Sequence, residues 1–160
     1  MKVAIEITLN GSPRSFEVDV RQSLLEVLRE QAGMLSIKQG CAVGECGACT
    51  VLVDEEPIDS CIYLAVWAHG RVVRTVEGEC REGRLSPVQQ SFVDEGAVQC
   101  GICTPGFIMA ATSLTEKHRG ESLDRSAIRR GLAGNLCRCT GYSTVVTAVE
   151  KCMDDTADDD

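Results

Sequence analysis

Ten cysteines in 160 residues constrain this chain more than any other feature. Eight of them form two sets. Cys41, Cys46, Cys49 and Cys61 are spaced C-x4-C-x2-C-x11-C, and Cys100, Cys103, Cys137 and Cys139 are spaced C-x2-C-x33-C-x-C. The start of the chain, Met1 to Thr8, alternates apolar and polar residues as a strand does and lacks the apolar block of an export signal. The expected compartment is therefore the reducing cytoplasm, where disulfides are rare and cysteines at this density serve as metal ligands or redox groups.

The first set matches the plant-type ferredoxin spacing for a [2Fe-2S] cluster. Two bridged irons need two thiolates each. One loop wraps one side with three cysteines, and the fourth, Cys61, approaches from a strand end. Gly40, Gly44 and Gly47 keep the loop free of side chains, so backbone N–H groups can approach the sulfurs. Tetrahedral zinc also takes four thiolates, but zinc ribbons present two C-x2-C pairs, which x4 followed by x2 fits poorly. The second set is less decided by spacing, because C-x2-C is a common zinc half-site. Each of its pairs precedes a helix start, so two positive helix ends are expected to face one anionic site, either a cluster or thiolate-bound zinc.

Around these sets the chain changes period. Val3 to Leu9, Phe16 to Val20, Thr50 to Val53 and Arg71 to Val76 read as strands, with a hairpin turn at Asn10-Gly11 and a second turn at Asp54 to Pro57. Ser23 caps a helix to about Gln31, and Ile62 to Ala68 reads as another short helix. From Ser86-Pro87 onward the period is helical. Starts at Thr104-Pro105 and after Gly141, with apolar stripes through Val88, Phe92 and Val93 and through Leu123, Ile128 and Leu132, predict four short helices. The expected division is 1–77 for the first domain, 78–84 for a linker, 85–153 for the helical domain and 154–160 for a disordered acidic tail.

The longer motifs carry a resemblance. Gly40-Cys41-Ala42-Val43-Gly44-Glu45-Cys46-Gly47-Ala48-Cys49-Thr50 looks like the first-cluster motif of the molybdenum hydroxylases. Gln99-Cys100-Gly101-Ile102-Cys103-Thr104-Pro105-Gly106 and Gly134-Asn135-Leu136-Cys137-Arg138-Cys139-Thr140-Gly141-Tyr142 look like their second-cluster motifs. From about Lys2 to Cys152 the chain resembles the separate iron–sulfur subunits of bacterial xanthine dehydrogenase-type enzymes. The resemblance implies an α+β chain: an N-terminal β-grasp plant-type ferredoxin domain, then a C-terminal four-helix bundle. Each would hold one [2Fe-2S] cluster, with all eight ligand positions filled. It implies that Gln99 hydrogen-bonds a molybdopterin cofactor in a large partner subunit and that the Cys139 backbone reaches the same cofactor. It further implies a FAD-binding subunit near the first cluster, in a heterotrimer or its dimer. The assembly would hydroxylate a heteroaromatic ring or an aldehyde with oxygen from water. Xanthine or hypoxanthine is the first expectation for the substrate, and nicotinate, aldehyde and carbon monoxide enzymes use the same kind of subunit.

Other classes fit less well. A net charge of −8 and 4% aromatics argue against a nucleic-acid surface. No apolar run reaches the roughly 20 residues of a membrane span. No catalytic residue is expected in this chain: His69 and His118 read as surface histidines, and no acid/base pair is visible. Arg138 reads equally as a counter-charge to a cluster and as a surface arginine. Trp67 reads as a packing residue, and Cys80 and Cys152 as spectator thiols. The competing classes are a free-standing double-cluster ferredoxin, which would purify alone, and a zinc-stabilised interaction module, which would be colourless.

Overall fold

The structure is a computed structural model that describes residues 1–157. β1 (Lys2–Leu9) turns at Asn10 and Gly11, both with positive φ, and returns as β2 (Ser12–Asp19), pairing Leu9 with Ser12 and Lys2 with Asp19. β3 (Thr50–Val53), β4 (Glu56–Asp59) and β5 (Val72–Arg74) complete a five-stranded sheet in the order β2-β1-β5-β3-β4. β5 runs parallel to β1 and antiparallel to β3. Alternation buries Ile5, Ile7 and Leu9 on one face of β1. Against them lies α1 (Leu24–Glu26), which widens into a π-helical turn over Val27–Gln31. Ser23 and Glu26 form a reciprocal capping box at its start, and Leu24, Leu25, Val27 and Leu28 enter the first core. Each such buried side chain contributes about 1.5–3 kcal/mol.

After α2 (Val76–Glu79) come α3 (Pro87–Asp94), α4 (Thr104–Lys117), α5 (Arg125–Gly131) and α6 (Ser143–Ala157). Ser86 and Gln89 cap α3 reciprocally, and Asp124 caps α5. Phe92, Phe107, Ala111, Ile128, Leu132, Val145 and Val149 form a second apolar core, separate from the first. No helix among the described residues is long and apolar enough to cross a membrane.

α4 joins the two units. Ser113 Oγ donates to the Glu55 carbonyl at 3.1 Å, and Lys117 Nζ meets Glu56 at 2.6 Å. Arg74, on β5, donates through both terminal nitrogens to Glu116 at 2.9 Å each, and also pairs with Glu79 and Glu55. The outer half of α4 is thereby pinned to the end of β5 and to the turn between β3 and β4.

Several local expectations are corrected. The second turn ends at Glu55, and Glu56 and Pro57 begin β4, an edge strand that tolerates a proline without an N–H. Of Ile62 to Ala68, only Ala65–Ala68 is helical, a 3₁₀ turn. β5 stops at Arg74, and α2 occupies Val76–Glu79, so it overlaps the start of the segment expected as linker 78–84. Trp67 and Val93, expected to pack, are 56% and 60% exposed. The acidic end departs from expectation too: α6, anchored by buried Cys152 and Met153, continues through 154–157, and 158–160 lie outside the described residues.

Candidate metal centres

Residues 40–49 form a loop without regular structure between the π-helical turn and β3. The loop carries Cys41, Cys46 and Cys49, and the chain after β4 brings back Cys61. The Val43 and Glu45 amides point at Cys41 Sγ at 3.5 and 3.3 Å. They hold its thiol down to about 6. Cys49 is buried and is pushed up to about 12, chiefly by that burial. Gly40 leaves room for the site, since a Cβ there would lie 2.7 Å from Cys46 Sγ.

The second set is assembled from two places. Cys100 and Cys103 precede α4, with Cys103 rather than Thr104 as the N-cap residue. Cys137 and Cys139 lie between α5 and α6. Cys139 Sγ is 3.5 Å from Cys100 Sγ, and both residues are exposed, whereas Cys103 and Cys137 are buried. Burial pushes Cys103 up to about 12. At Cys137 burial acts the same way but is outweighed by the Thr140 hydroxyl and amide, and the thiol is held down to about 7.

The pairing of the sulfurs tests whether a two-iron cluster fits these residues. Such a cluster needs two thiolates on each iron, so the four should form two pairs. In the first set Cys41 interacts with Cys46, and Cys49 with Cys61. In the second Cys100 lies against Cys139, and Cys103 against Cys137. The donor sets therefore fit [2Fe-2S] clusters.

The two sites meet at a seam. Leu136, the neighbour of Cys137, donates its amide to the Cys46 carbonyl at 2.9 Å. Asn135, 5% exposed, donates Nδ2 to the Gly47 carbonyl at 2.9 Å and to Thr50 Oγ1 at 3.1 Å. Gly47 permits this approach, because a Cβ there would lie 2.4 Å from Asn135 Nδ2. Asn135 is not among the residues singled out from the sequence, although a polar residue two positions before Cys137 within a glycine-bounded motif is a usable signal.

Other candidates stand apart from the seam. Gln99 is exposed beside Cys100, and Arg138 is exposed between the second pair. His69 Nδ1 accepts from the Glu6 amide at 3.0 Å, and His118 Nδ1 lies 2.7 Å from Glu121. Cys80 is exposed and Cys152 is buried in the second core.

Comparison with known proteins agrees with this geometry. A model for a 2Fe-2S iron-sulfur cluster binding domain matches residues 7–72, and one for a [2Fe-2S] binding domain matches residues 75–150. The xanthine dehydrogenase iron-sulfur-binding subunit of Escherichia coli O157:H7 is 58% identical over 150 residues, which is 94% of each chain. The chain belongs to the iron–sulfur subunits of the molybdenum hydroxylases. Within that family the nicotinate dehydrogenase small FeS subunit of Eubacterium barkeri is 43% identical, over 94% of this chain and 98% of its own. The crystal structure of quinoline 2-oxidoreductase from Pseudomonas putida 86 superposes with a TM-score of 0.91 at 40% identity, covering 99% of this chain and 97% of that one. As a molybdenum hydroxylase iron–sulfur subunit, the chain has a mixed α+β fold with a ferredoxin-like [2Fe-2S] domain followed by a second [2Fe-2S] domain.

Proposed function

We propose that Cys41, Cys46, Cys49 and Cys61 hold one [2Fe-2S] cluster and that Cys100, Cys103, Cys137 and Cys139 hold the other. The chain then carries single electrons from a molybdopterin site in a larger subunit toward FAD in a third subunit, within a cytoplasmic heterotrimer or its dimer. The two-by-two pairing of the thiols is the observation that carries this reading. A [2Fe-2S] cluster, when bound, accepts and returns one electron at a time. The protein's part is to fix the two sites close together and to join them through the Leu136 amide and the Cys46 carbonyl. The second site's exposed edge, Cys100 and Cys139 with Gln99 beside it, faces outward. That exposure supports contact of Gln99 and the Cys139 backbone with the molybdopterin of the partner.

The same reading makes 1–77 a β-grasp domain, 78–84 a linker that α2 extends into, 85–153 a four-helix bundle and 154–160 an acidic tail. Xanthine or hypoxanthine is the substrate class for the assembly, by its similarity to the xanthine dehydrogenase subunit. Co-expression with molybdopterin- and FAD-binding partner subunits tests it. The purified complex should contain about four irons and four labile sulfides per copy of this chain, and xanthine should elicit two rhombic EPR signals. A chain recovered alone, with full iron and no stable partners, would make it a free-standing ferredoxin instead.

A further inference from the structure

We propose that Thr140 and Tyr142 are positioning residues that fix the Cys137 thiolate and set the reduction potential of the second centre. This rests on the reading that Cys137 is a ligand there. Three residues close a ring of hydrogen bonds. The Tyr142 amide donates to Thr140 Oγ1 at 3.2 Å. The Thr140 hydroxyl and amide donate to Cys137 Sγ at 3.1 and 3.4 Å. The Cys137 amide donates to the Tyr142 phenol oxygen at 3.1 Å. Thr140 Oγ1 accepts from the Tyr142 amide through a lone pair and gives its single proton to the sulfur, which as a thiolate can only accept.

The backbone is bent to make this ring. Gly141 and Tyr142 have φ of 62° and 66°, and a left-handed conformation is uncommon for an aromatic residue. The bend lets one residue give its amide to Thr140 and turn its ring back to Cys137. Glycine or asparagine would take that backbone with less strain but would bring no phenol. The Phe107 ring meets the Tyr142 ring edge-on at 6.3 Å and fixes its orientation. Cys137 is only 9% exposed, so little water competes with these donors. Hydrogen bonds to a ligand sulfur disperse negative charge and favour the reduced, more negative state, which raises the potential. At Cys41 the corresponding donors are the Val43 and Glu45 amides, which a side-chain substitution does not remove.

Potentiometric EPR titration of the assembled enzyme tests the inference. Thr140→Val should move the second-centre midpoint to a more negative value and leave the first-centre midpoint unchanged. Thr140→Ser, which keeps the hydroxyl, should titrate like the wild type. Tyr142→Phe should change the line shape of the second signal alone. A Thr140→Val midpoint equal to the wild type, or equal shifts in the valine and serine variants, overturns the inference while the ligand assignment stands. If the valine variant fails to load its second cluster, Tyr142→Phe decides: an altered second signal supports the ring, and a spectrum superimposable on the wild type overturns it. A wild-type enzyme without any second-centre signal overturns the ligand assignment, and this inference with it.

Discussion

Replacing Gly106 by alanine sets two effects of known sign against each other. Gly106 lies in the first turn of α4 and is buried. Its φ is not in the left-handed region, so alanine suits the backbone and gains about 1 kcal/mol of helix propensity. Against this, a Cβ there would lie 2.1 Å from the Gly47 carbonyl oxygen, where ordinary contact begins at 3.4 Å. The neighbour is main chain, so no side-chain rotation relieves the overlap, and α4 must part from the Cys46–Cys49 loop by about 1.3 Å. Overpacking of this kind costs about 1–3 kcal/mol. The separation also strains the bonds from Asn135 to Gly47 and from Leu136 to Cys46, each 2.9 Å long and worth about 1 kcal/mol. The balance is a loss of about 3 kcal/mol, or roughly 6–12 °C in Tm for a chain of this size. Thermal unfolding of anaerobically purified, cluster-loaded protein, followed by circular dichroism, measures it. Gly131→Ala is the control, because a Cβ there meets only the Leu114 side chain, at 2.8 Å, and that side chain can move. Its effect should stay within about 1 kcal/mol. A Gly106→Ala protein as stable as the wild type would refute the reasoning and show that the loop yields without cost.

Three further outcomes are expected. Cys46→Ser should abolish or alter the first-centre EPR signal and leave the second present, because Cys49 and Cys61 of the first set lie in one core and Cys103 and Cys137 of the second in the other; loss of both signals from a protein whose helices remain folded would contradict this. Gln99→Ala should preserve both signals after dithionite but slow substrate-driven reduction roughly fivefold, the value of one hydrogen bond of about 1 kcal/mol; an unchanged stopped-flow rate would remove Gln99 from the cofactor contact. Asp54 accepts from the Val72 amide at 2.9 Å and from Arg71 at 2.7 Å, and these bonds lower its pKa from 3.8. Its contribution to stability is present above the unfolded value and is lost as pH falls through the lower folded value. Asp54→Asn should therefore flatten the acid side of a Tm-against-pH curve, and a curve parallel to the wild type would exclude this role.

The parts of the fold that were legible in the sequence are those set by local chemistry. The Asn10-Gly11 turn, the Ser23 and Ser86 caps, the alternation through Ile5, Ile7 and Leu9, and the helix starts beside the second cysteines all follow from one or two neighbouring residues. Tertiary placement decided the rest. Pro57 reads as a turn residue until β4 is known to be an edge strand. Trp67 reads as core because large aromatics are usually buried, yet its ring meets Tyr63 edge-on at 5.5 Å and lies largely in solvent. Cysteine spacing divides eight cysteines into two sets but does not say which members of each lie against one another. The motif around Asn135 marks the residue but not its partners, which lie 85 and 88 positions earlier in the chain.

The arrangement of α4 explains how two separately built cores keep two redox sites in register. One end of the helix is pinned by ions: Arg74 and Glu116 join β5 to α4, while Glu79 is nearly buried beside them. Partly buried ion pairs contribute little net stability, because desolvation offsets most of the attraction. They are directional, however, and a purely apolar contact would let the helix slide along the sheet. The other end is fixed by close main-chain contact, where Gly106 faces Gly47. The loop it touches carries three of the first set's cysteines, and α4 itself begins just after Cys103. Any rotation of the helical unit on the sheet must therefore break the Arg74 cluster at one end or separate the two cysteine loops at the other. Stability of the domain interface and the distance between the redox sites are consequently one mechanical property, and a substitution at either end of α4 should change both together.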